Sequence, residues 1–212
     1  MEYAMNFYFH PAAPNCFKVV VTAKLLGIPL ESQIVDLFKG EHREADYLAI
    51  NPNGVVPTLR DGKFVLWESN AIMQYLAAKR PANLLWPVDE QVRADISRWQ
   101  CWELAHWTPA VSVYLRENMF KKLKNEGDPD PAEIKKGDEK FHPLARVLDE
   151  QLADQDYLVG NALTLADISV CAFLMYANHA RVPIGPYRNI RRWVSRMNAM
   201  PAWEQALPAM AA

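Results

Sequence analysis

Strand-like sequence is confined to the N-terminal part of this 212-residue chain. Up to about residue 82, short β-rich runs alternate with helical patterns in the order β-α-β, a linking helical segment, then β-β-α. Helices are predicted over about 15–26 and 68–79, and an Asp61-Gly62 turn joins the last two strands. The predicted strands are residues 5–9, 32–36, 55–60 and 63–67. This part of the chain is therefore expected to be an α/β domain.

The rest of the chain has almost no strand pattern. Amphipathic helical patterns run over about 90–124, 131–153, 164–180 and 187–198. A proline-containing stretch without either pattern separates the two parts. We expect an α/β domain at residues 1–82, a linker at 83–89 and an all-helical domain at 90–212.

Composition excludes several classes of partner. Half of the residues are hydrophobic and the net charge is only −2, which allows a sizeable core and gives no reason to expect a nucleic-acid partner. No signal-peptide pattern and no apolar run of roughly 20 residues is present, so a cytoplasmic protein without a membrane span is expected. The three cysteines (Cys16, Cys101 and Cys171) have neither a disulfide framework nor the spacing of a zinc site.

Two neighbouring motifs predict a ligand site. Residues 51–59, NPNGVVPTL, contain a glycine turn, an X-Pro bond and the start of a strand. Residues 67–72, WESNAI, carry an acid and a hydroxyl where a helix is predicted to begin. Free backbone N–H groups at a helix N-terminus bind anions readily. The two motifs together indicate a site for a small anionic ligand.

Four motifs, taken in order and spacing, resemble the cytosolic glutathione transferases along nearly the whole chain. They are residues 39–43 (KGEHR), 51–59, 67–72 and 160–167 (GNALTLAD). The resemblance implies a thioredoxin-like N-terminal domain with a mixed four-stranded sheet, packed against a helical-bundle C-terminal domain, usually in a homodimer. It also implies that glutathione is the cosubstrate, and it implies no metal.

The resemblance assigns two walls of the glutathione site. Val56-Pro57 matches a cis-proline step at which Val56 pairs its backbone N–H and C=O with the cysteinyl part of glutathione. Ser69 is expected to bind the γ-glutamyl carboxylate and Glu68 the amino group. From the residues alone, an ordinary trans proline and simple helix capping remain alternatives. Trp67 is expected in the core.

A third wall is expected to bind the glycyl carboxylate. In related transferases a basic residue of the segment corresponding to 39–43 has this role, so His42 is the first candidate, with Arg43 and Lys39 as alternatives. Asn53 is expected near the same end. An exposed charged loop without a ligand is the alternative interpretation.

The sulfur of glutathione is expected at the N-terminus of the first helix. Residues 13–16, APNC, align with the Cys-Pro-x-Cys of glutaredoxins, but Ala13 stands where the attacking cysteine would be. Serine-type transferases often have a hydroxyl here that donates to the sulfur. The segment also resembles bacterial nu-class members, which suggests Asn15 as the activating side chain, or as a helix cap only. Cys16 and Tyr8 are interpreted as structural.

The helical domain is expected to supply the second substrate's pocket. His106, Trp107 and Tyr114 are the candidate wall residues, since an apolar pocket with a few polar groups suits a hydrophobic electrophile. Thr164 and Asp167 form a predicted capping box, which is assigned to folding rather than to catalysis.

Three functions are consistent with these patterns. The first is a glutathione transferase that activates bound glutathione as a thiolate for attack on a hydrophobic electrophile. The second is a glutathione-dependent disulfide reductase or peroxidase that needs no protein cysteine. The third is a non-catalytic glutathione-binding protein, which the missing hydroxyl at Ala13 allows.

Overall fold

The computed structural model describes residues 5–208, which begin with a four-stranded sheet. The strands lie in the order β2-β1-β3-β4, with β1 parallel to β2 and antiparallel to β3. The elements of this part are β1 (Met5–Phe9), α1 (Pro14–Leu26), β2 (Leu30–Ile34), a short 3₁₀ turn (Glu41–Arg43), α2 (Ala45–Leu48), β3 (Thr58–Asp61), β4 (Phe64–Trp67) and α3 (Ser69–Ala78). This is the thioredoxin-like arrangement expected from the sequence.

Two strands differ from the expected bounds. The second strand begins at Leu30 rather than at residue 32. The third begins at Thr58 rather than at residue 55, because the chain turns through the Val56-Pro57 peptide and a proline has no N–H for the strand ladder. Trp67 was expected in the core, but it is 40% exposed because β4 is an edge strand of the sheet.

The second part of the described chain is helical. Its elements are α4 (Glu90–Trp102), α5 (Thr108–Leu115), α6 (Lys121–Lys124), α7 (Pro131–Gln151), α8 (Leu165–Cys171), α9 (Arg188–Asn198) and α10 (Pro201–Glu204). The predicted helix over 164–180 is shorter, since it tightens into a 3₁₀ turn (Ala172–Tyr176) after α8. With the sheet-containing part, these helices confirm the predicted fold class.

The long helical run from α4 to α6 contains two π-helical turns. Glu103–Trp107 lies between α4 and α5, and Arg116–Phe120 lies between α5 and α6. Each π turn adds a residue to the helical repeat and so rotates the side chains that follow it. The first turn brings Glu103 and Trp107 into the interior, where both are fully buried.

A buried ion pair joins the two parts of the molecule. Lys18 on α1 and Glu103 are both fully buried, and the Nζ to Oε2 distance is 2.9 Å. The carboxylate also accepts hydrogen bonds from the Asn70 amide of α3, the Ser169 hydroxyl of α8 and Thr108. Burial lowers the pKa of Lys18, and the charge of Glu103 opposes that shift. The pair is stable in the interior because these donors satisfy the carboxylate.

The predicted capping box is present at the start of α8. Asp167 accepts from the Thr164 backbone N–H at 3.0 Å, and the Thr164 hydroxyl accepts from Ala166 N–H. Asp167 also accepts from the Leu158 N–H at 2.8 Å and from the Trp193 indole at 3.0 Å. Burial raises the pKa of Asp167 to about 6, with these donors opposing the shift.

No described helix is long and apolar enough to cross a membrane. Cys16, Cys101 and Cys171 are all free thiols, and only Cys101 is exposed.

We expect Asp167→Ala to lower the free energy of unfolding by about 2–4 kcal/mol, because it removes the cap and leaves buried donors unpaired. The folded-state pKa of about 6 lies above the ordinary value of 3.8, so protonation of Asp167 stabilises the fold and this stability is lost as pH rises through 6. The loss caused by the substitution should therefore be larger at pH 5 than at pH 7. Urea unfolding at both pH values measures it, with exposed Asp154→Ala as the control. A loss that becomes smaller at pH 5 contradicts the assignment.

We expect Lys18→Met to cost about 3–5 kcal/mol, because it leaves the Glu103 carboxylate buried without its cation. The double variant Lys18→Met/Glu103→Gln should recover part of this loss, since the uncompensated charge is removed. Urea unfolding of the single variants and the double variant gives the coupling energy. Lys24→Met, an exposed change on the same helix, is the control. A double variant no more stable than Lys18→Met would refute the charge argument.

Candidate functional site

The turn before β3 is held rigidly by buried side chains. The Val56-Pro57 peptide is cis, as the resemblance implied. Tyr47 and Asn51 both donate to the Val55 carbonyl, at 2.7 and 2.8 Å, and both contact the Thr58 hydroxyl at 3.0 Å. Asn51 and Thr58 are fully buried. The backbone of Val56 is therefore held fixed in the turn that leads into β3, an interior strand of the sheet.

Gly54 brings the segment 41–43 against this turn. A Cβ on Gly54 would lie 2.9 Å from the Arg43 guanidinium and 3.0 Å from the His42 carbonyl, and its φ of +58° is one that glycine adopts easily. The Nδ1 atom of His42 is buried and has no hydrogen-bond partner among the described residues. The Asn53 amide donates to the Asn51 side chain at 3.0 Å, so its NH₂ group already has a protein partner.

The N-terminus of α3 carries the acid and the hydroxyl. Glu68 has φ of 72°, an unfavourable value for a non-glycine residue, and such strained residues cluster at functional sites. Ser69 is only 3% exposed, and its hydroxyl donates to the Asn15 side-chain oxygen at 3.2 Å. This bond brings the N-termini of α1 and α3 together, so their free N–H groups face one region.

The N-terminus of α1 has no side-chain cap. Ala13 occupies the N-cap position, and its own N–H donates to the His10 carbonyl at 3.0 Å. Pro14 has no N–H, so Asn15 supplies the first free backbone donor of the helix as well as a side-chain amide. Cys16 is buried, and burial raises the pKa of its thiol to about 12, which makes it a poor nucleophile, as expected.

A cleft of about 370 Å³ opens beside this helix N-terminus. One wall comes from the sheet-containing part and includes His10, Ala13 and His42. The π turn before α6 supplies Met119 and Phe120 to the opposite wall. The full lining is His10, Ala12, Ala13, Pro14, Leu37, Phe38, His42, Met119, Phe120, Leu123, Lys124 and Tyr176. The cleft is mainly apolar, with polar groups near the helix N-terminus.

The three residues predicted for the second-substrate pocket do not line this cleft. Trp107 is fully buried and donates its indole N–H to the Val170 carbonyl. Tyr114 is 2% exposed and bonded to Asp138. His106 is exposed but outside the cleft. The π turn at Glu103–Trp107 changes which helix face points inward, and a sequence pattern with a period of 3.6 does not contain that rotation.

Sequence reasoning missed most of the apolar wall. Phe38 follows the second strand and is 65% exposed, and Lys124 is the last residue of α6. His10 was not among the predicted site residues, although it lies at the junction between β1 and α1. In the sequence, Phe38 stands directly before the basic segment 39–43, and that position was a signal for this wall. Tyr8 contacts Tyr47 and is not part of the cleft lining.

Residues 5–208 contain no group of three or more His, Cys, Asp or Glu side chains arranged to hold a metal ion. The donors that could hold an organic cosubstrate are the Val56 backbone, the N-terminus of α3 and the basic residues of 41–43. Their geometry suits an extended, peptide-like anion.

Comparisons with known proteins match both parts of the chain. The family model "Glutathione S-transferase, N-terminal domain" matches residues 12–79, and "Glutathione S-transferase, C-terminal domain" matches residues 107–201. Glutathione S-transferase D7 of Drosophila melanogaster is 29% identical over 209 residues, which cover 97% of this chain and 90% of that protein.

Solved structures give the same result. The theta class glutathione S-transferase of Xanthomonas axonopodis pv. citri, solved with glutathione bound, has a TM-score of 0.88 at 28% identity and covers 99% of both chains. A glutathione S-transferase of Pseudomonas fluorescens has a TM-score of 0.85 at 29% identity, covering 94% of this chain and 97% of that one. The chain belongs to the glutathione S-transferase family.

Proposed function

We propose that this glutathione transferase binds glutathione beside the Val56-Pro57 turn and activates it as a thiolate at the N-terminus of α1. The observation that carries the proposal is the hydrogen bond from the Ser69 hydroxyl to the Asn15 side-chain oxygen. It links the end of the site that suits a γ-glutamyl carboxylate to the end that suits a sulfur. With its oxygen engaged, the Asn15 amide has its NH₂ group available to donate to the sulfur.

Each part of glutathione has a matching group. The rigid backbone of Val56, beside Pro57, would pair with the cysteinyl residue like an added strand. With the Ser69 hydroxyl donating to Asn15, the free backbone N–H groups at the N-terminus of α3, that of Ser69 included, would bind the γ-glutamyl carboxylate, and Glu68 the amino group. His42 lines the cleft, which favours it as the ligand of the glycyl carboxylate, with Arg43 beside it and Asn53 at the same end.

The second substrate is a hydrophobic electrophile in this proposal. Its pocket is the apolar part of the cleft, made by Leu37, Phe38, Met119, Phe120 and Leu123, rather than by the residues first expected. An apolar molecule gains by transfer from water into such a cleft, and the thiolate at its polar end would attack it there.

One observation favours a second function. Ala13 has no hydroxyl, and the buried Cys16 thiol is held protonated, so the protein itself offers no reactive sulfur at this position. Bound glutathione thiolate could then attack a disulfide, forming a mixed disulfide with one half and releasing the other as a thiol. A second glutathione thiolate would attack the mixed disulfide, giving oxidised glutathione and the second thiol, which balances the reaction.

The oligomeric state, the cellular compartment and the domain boundaries are also part of the proposal. We propose a homodimer in the cytoplasm, with residues 1–82 and 90–212 as the two domains and residues 83–89 as the linker.

We expect Asn15→Ala to lower kcat/KM about 10–100-fold, which corresponds to about 1.4–2.8 kcal/mol of lost transition-state stabilisation. The ultraviolet absorbance of bound thiolate should fall in parallel. The test is glutathione titration, followed by assays with an aryl halide and with a small disulfide. Asn161→Ala, an exposed change, is the control.

Three results would count against parts of this proposal. Thiolate absorbance that survives Asn15→Ala contradicts the role of Asn15. Stronger turnover of the disulfide than of the aryl halide selects the second function. Glutathione binding by the wild type without thiolate absorbance or turnover contradicts both catalytic functions.

A further inference from the structure

His10 lies at the polar end of the cleft, in the short connection between β1 and α1. The backbone carbonyl of His10 accepts from Ala13 N–H at 3.0 Å, which closes a tight turn and brings the two residues together. Both line the cleft. The imidazole also packs edge-on against Phe38, with ring centroids 5.7 Å apart. The ring therefore contacts the apolar wall, and His10 and Ala13 border the same cleft.

One nitrogen of the ring already has a partner. The Ala12 backbone N–H donates to Nδ1 of His10 at 3.2 Å. In the neutral imidazole an accepting Nδ1 requires the proton on Nε2. Partial burial lowers the pKa of His10, although Asp36 opposes the shift, so the neutral form dominates at pH 7. Nε2 is therefore an N–H donor, and it has no protein partner among the described residues.

The helical part of the molecule fixes this arrangement from the other side. The Tyr176 hydroxyl donates to the Ala12 carbonyl at 3.1 Å, so the Ala12 residue is held through both its N–H and its C=O. Burial raises the pKa of Tyr176 to about 12, which keeps that hydroxyl protonated as a donor. The turn that carries His10 is thus clamped between the two parts of the molecule.

The other groups near this turn leave few donors for a sulfur. Ala13 N–H is used by the turn, Pro14 has no N–H, and the Cys16 sulfur accepts from the His10 backbone N–H at 3.4 Å. The ionisable groups that share the cleft lining with His10 are His42, Lys124 and Tyr176. Tyr176 is already bonded to the Ala12 carbonyl.

We propose that the Nε2–H of His10 donates a hydrogen bond to the glutathione sulfur and so replaces the hydroxyl that Ala13 lacks. The inference rests on the proposed glutathione site. His10 is a donor and not a base in this role, because Nδ1 holds the Ala12 N–H and Nε2 already carries a proton. The thiol proton therefore leaves to solvent, and His10 and Asn15 stabilise the thiolate that remains.

The test compares His10→Leu, which removes the donor, with His10→Gln, whose amide can still donate. We expect His10→Leu to raise the pKa of bound glutathione by about one unit and to lower kcat/KM about tenfold at pH 7. The loss should shrink at higher pH, where the thiolate forms without help. His10→Gln should keep most of the activity, and KM for glutathione should change less than twofold in both variants.

His179→Leu is the matched control, since His179 is exposed and lies outside the cleft lining. A folded His10→Leu protein whose bound glutathione has an unchanged pKa overturns the inference, and so does an equal loss in the Leu and Gln variants. A wild type without thiolate absorbance or turnover refutes the proposed function itself. A wild type with both, together with an unaffected His10→Leu, refutes only the role of His10.

Nitrogen NMR of the wild-type imidazole tests the inference without any variant. We expect the tautomer with Nε2 protonated, and a shift of that resonance when glutathione binds. S-methylglutathione, whose sulfur does not ionise, should cause a much smaller shift. Protonation on Nδ1, or equal shifts with both ligands, overturns the inference.

Discussion

The arrangement of this molecule depends on one buried ion pair, between Lys18 and Glu103. Lys18 lies one turn after the N-terminus of α1, and Asn70, which also donates to Glu103, follows Ser69 on α3. The π turn in the helical part supplies the carboxylate, and Ser169 of α8 completes its shell. Buried charges tolerate little displacement, because each must keep its partner. The two helix N-termini that face the ligand site and the helices opposite them are therefore fixed by one polar cluster.

The absence of a hydroxyl at Ala13 limits which groups can stabilise a sulfur at the N-terminus of α1. In the proposed glutathione site, the sulfur would have donors from the residues around the helix N-terminus rather than from the helix cap, because Ala13 has no hydroxyl. Asn15 is oriented by Ser69, and His10 by the Ala12 N–H, so each has one polar group engaged by the protein and another available to the ligand. Preorganised donors of this kind stabilise an anion without the cost of reorienting when it forms.

Much of the fold could be predicted because its signals are local. The strand patterns, the Asp61-Gly62 turn and the capping box at Thr164 depend on residues close in sequence, and the structure contains all of them. The bounds of the second and third strands were less accurate, since tertiary pairing decides where a strand begins. Trp107 and Tyr114 are buried outside the cleft, because the π turns rotate the helix faces that a regular period describes.

The sequence by itself determined three features: the α/β and helical halves, the motifs of residues 51–72 that resemble those of glutathione transferases, and the absence of a hydroxyl at Ala13. Those features are written in residue types and in short spacings, which local stereochemistry converts directly into turns, caps and strands. Only the tertiary structure decided that Lys18 meets Glu103, that Ser69 meets Asn15 and that His10 faces a cleft with Met119 and Phe120. These contacts join residues distant in sequence, and their geometry follows from helix packing and from π turns that no local pattern specifies.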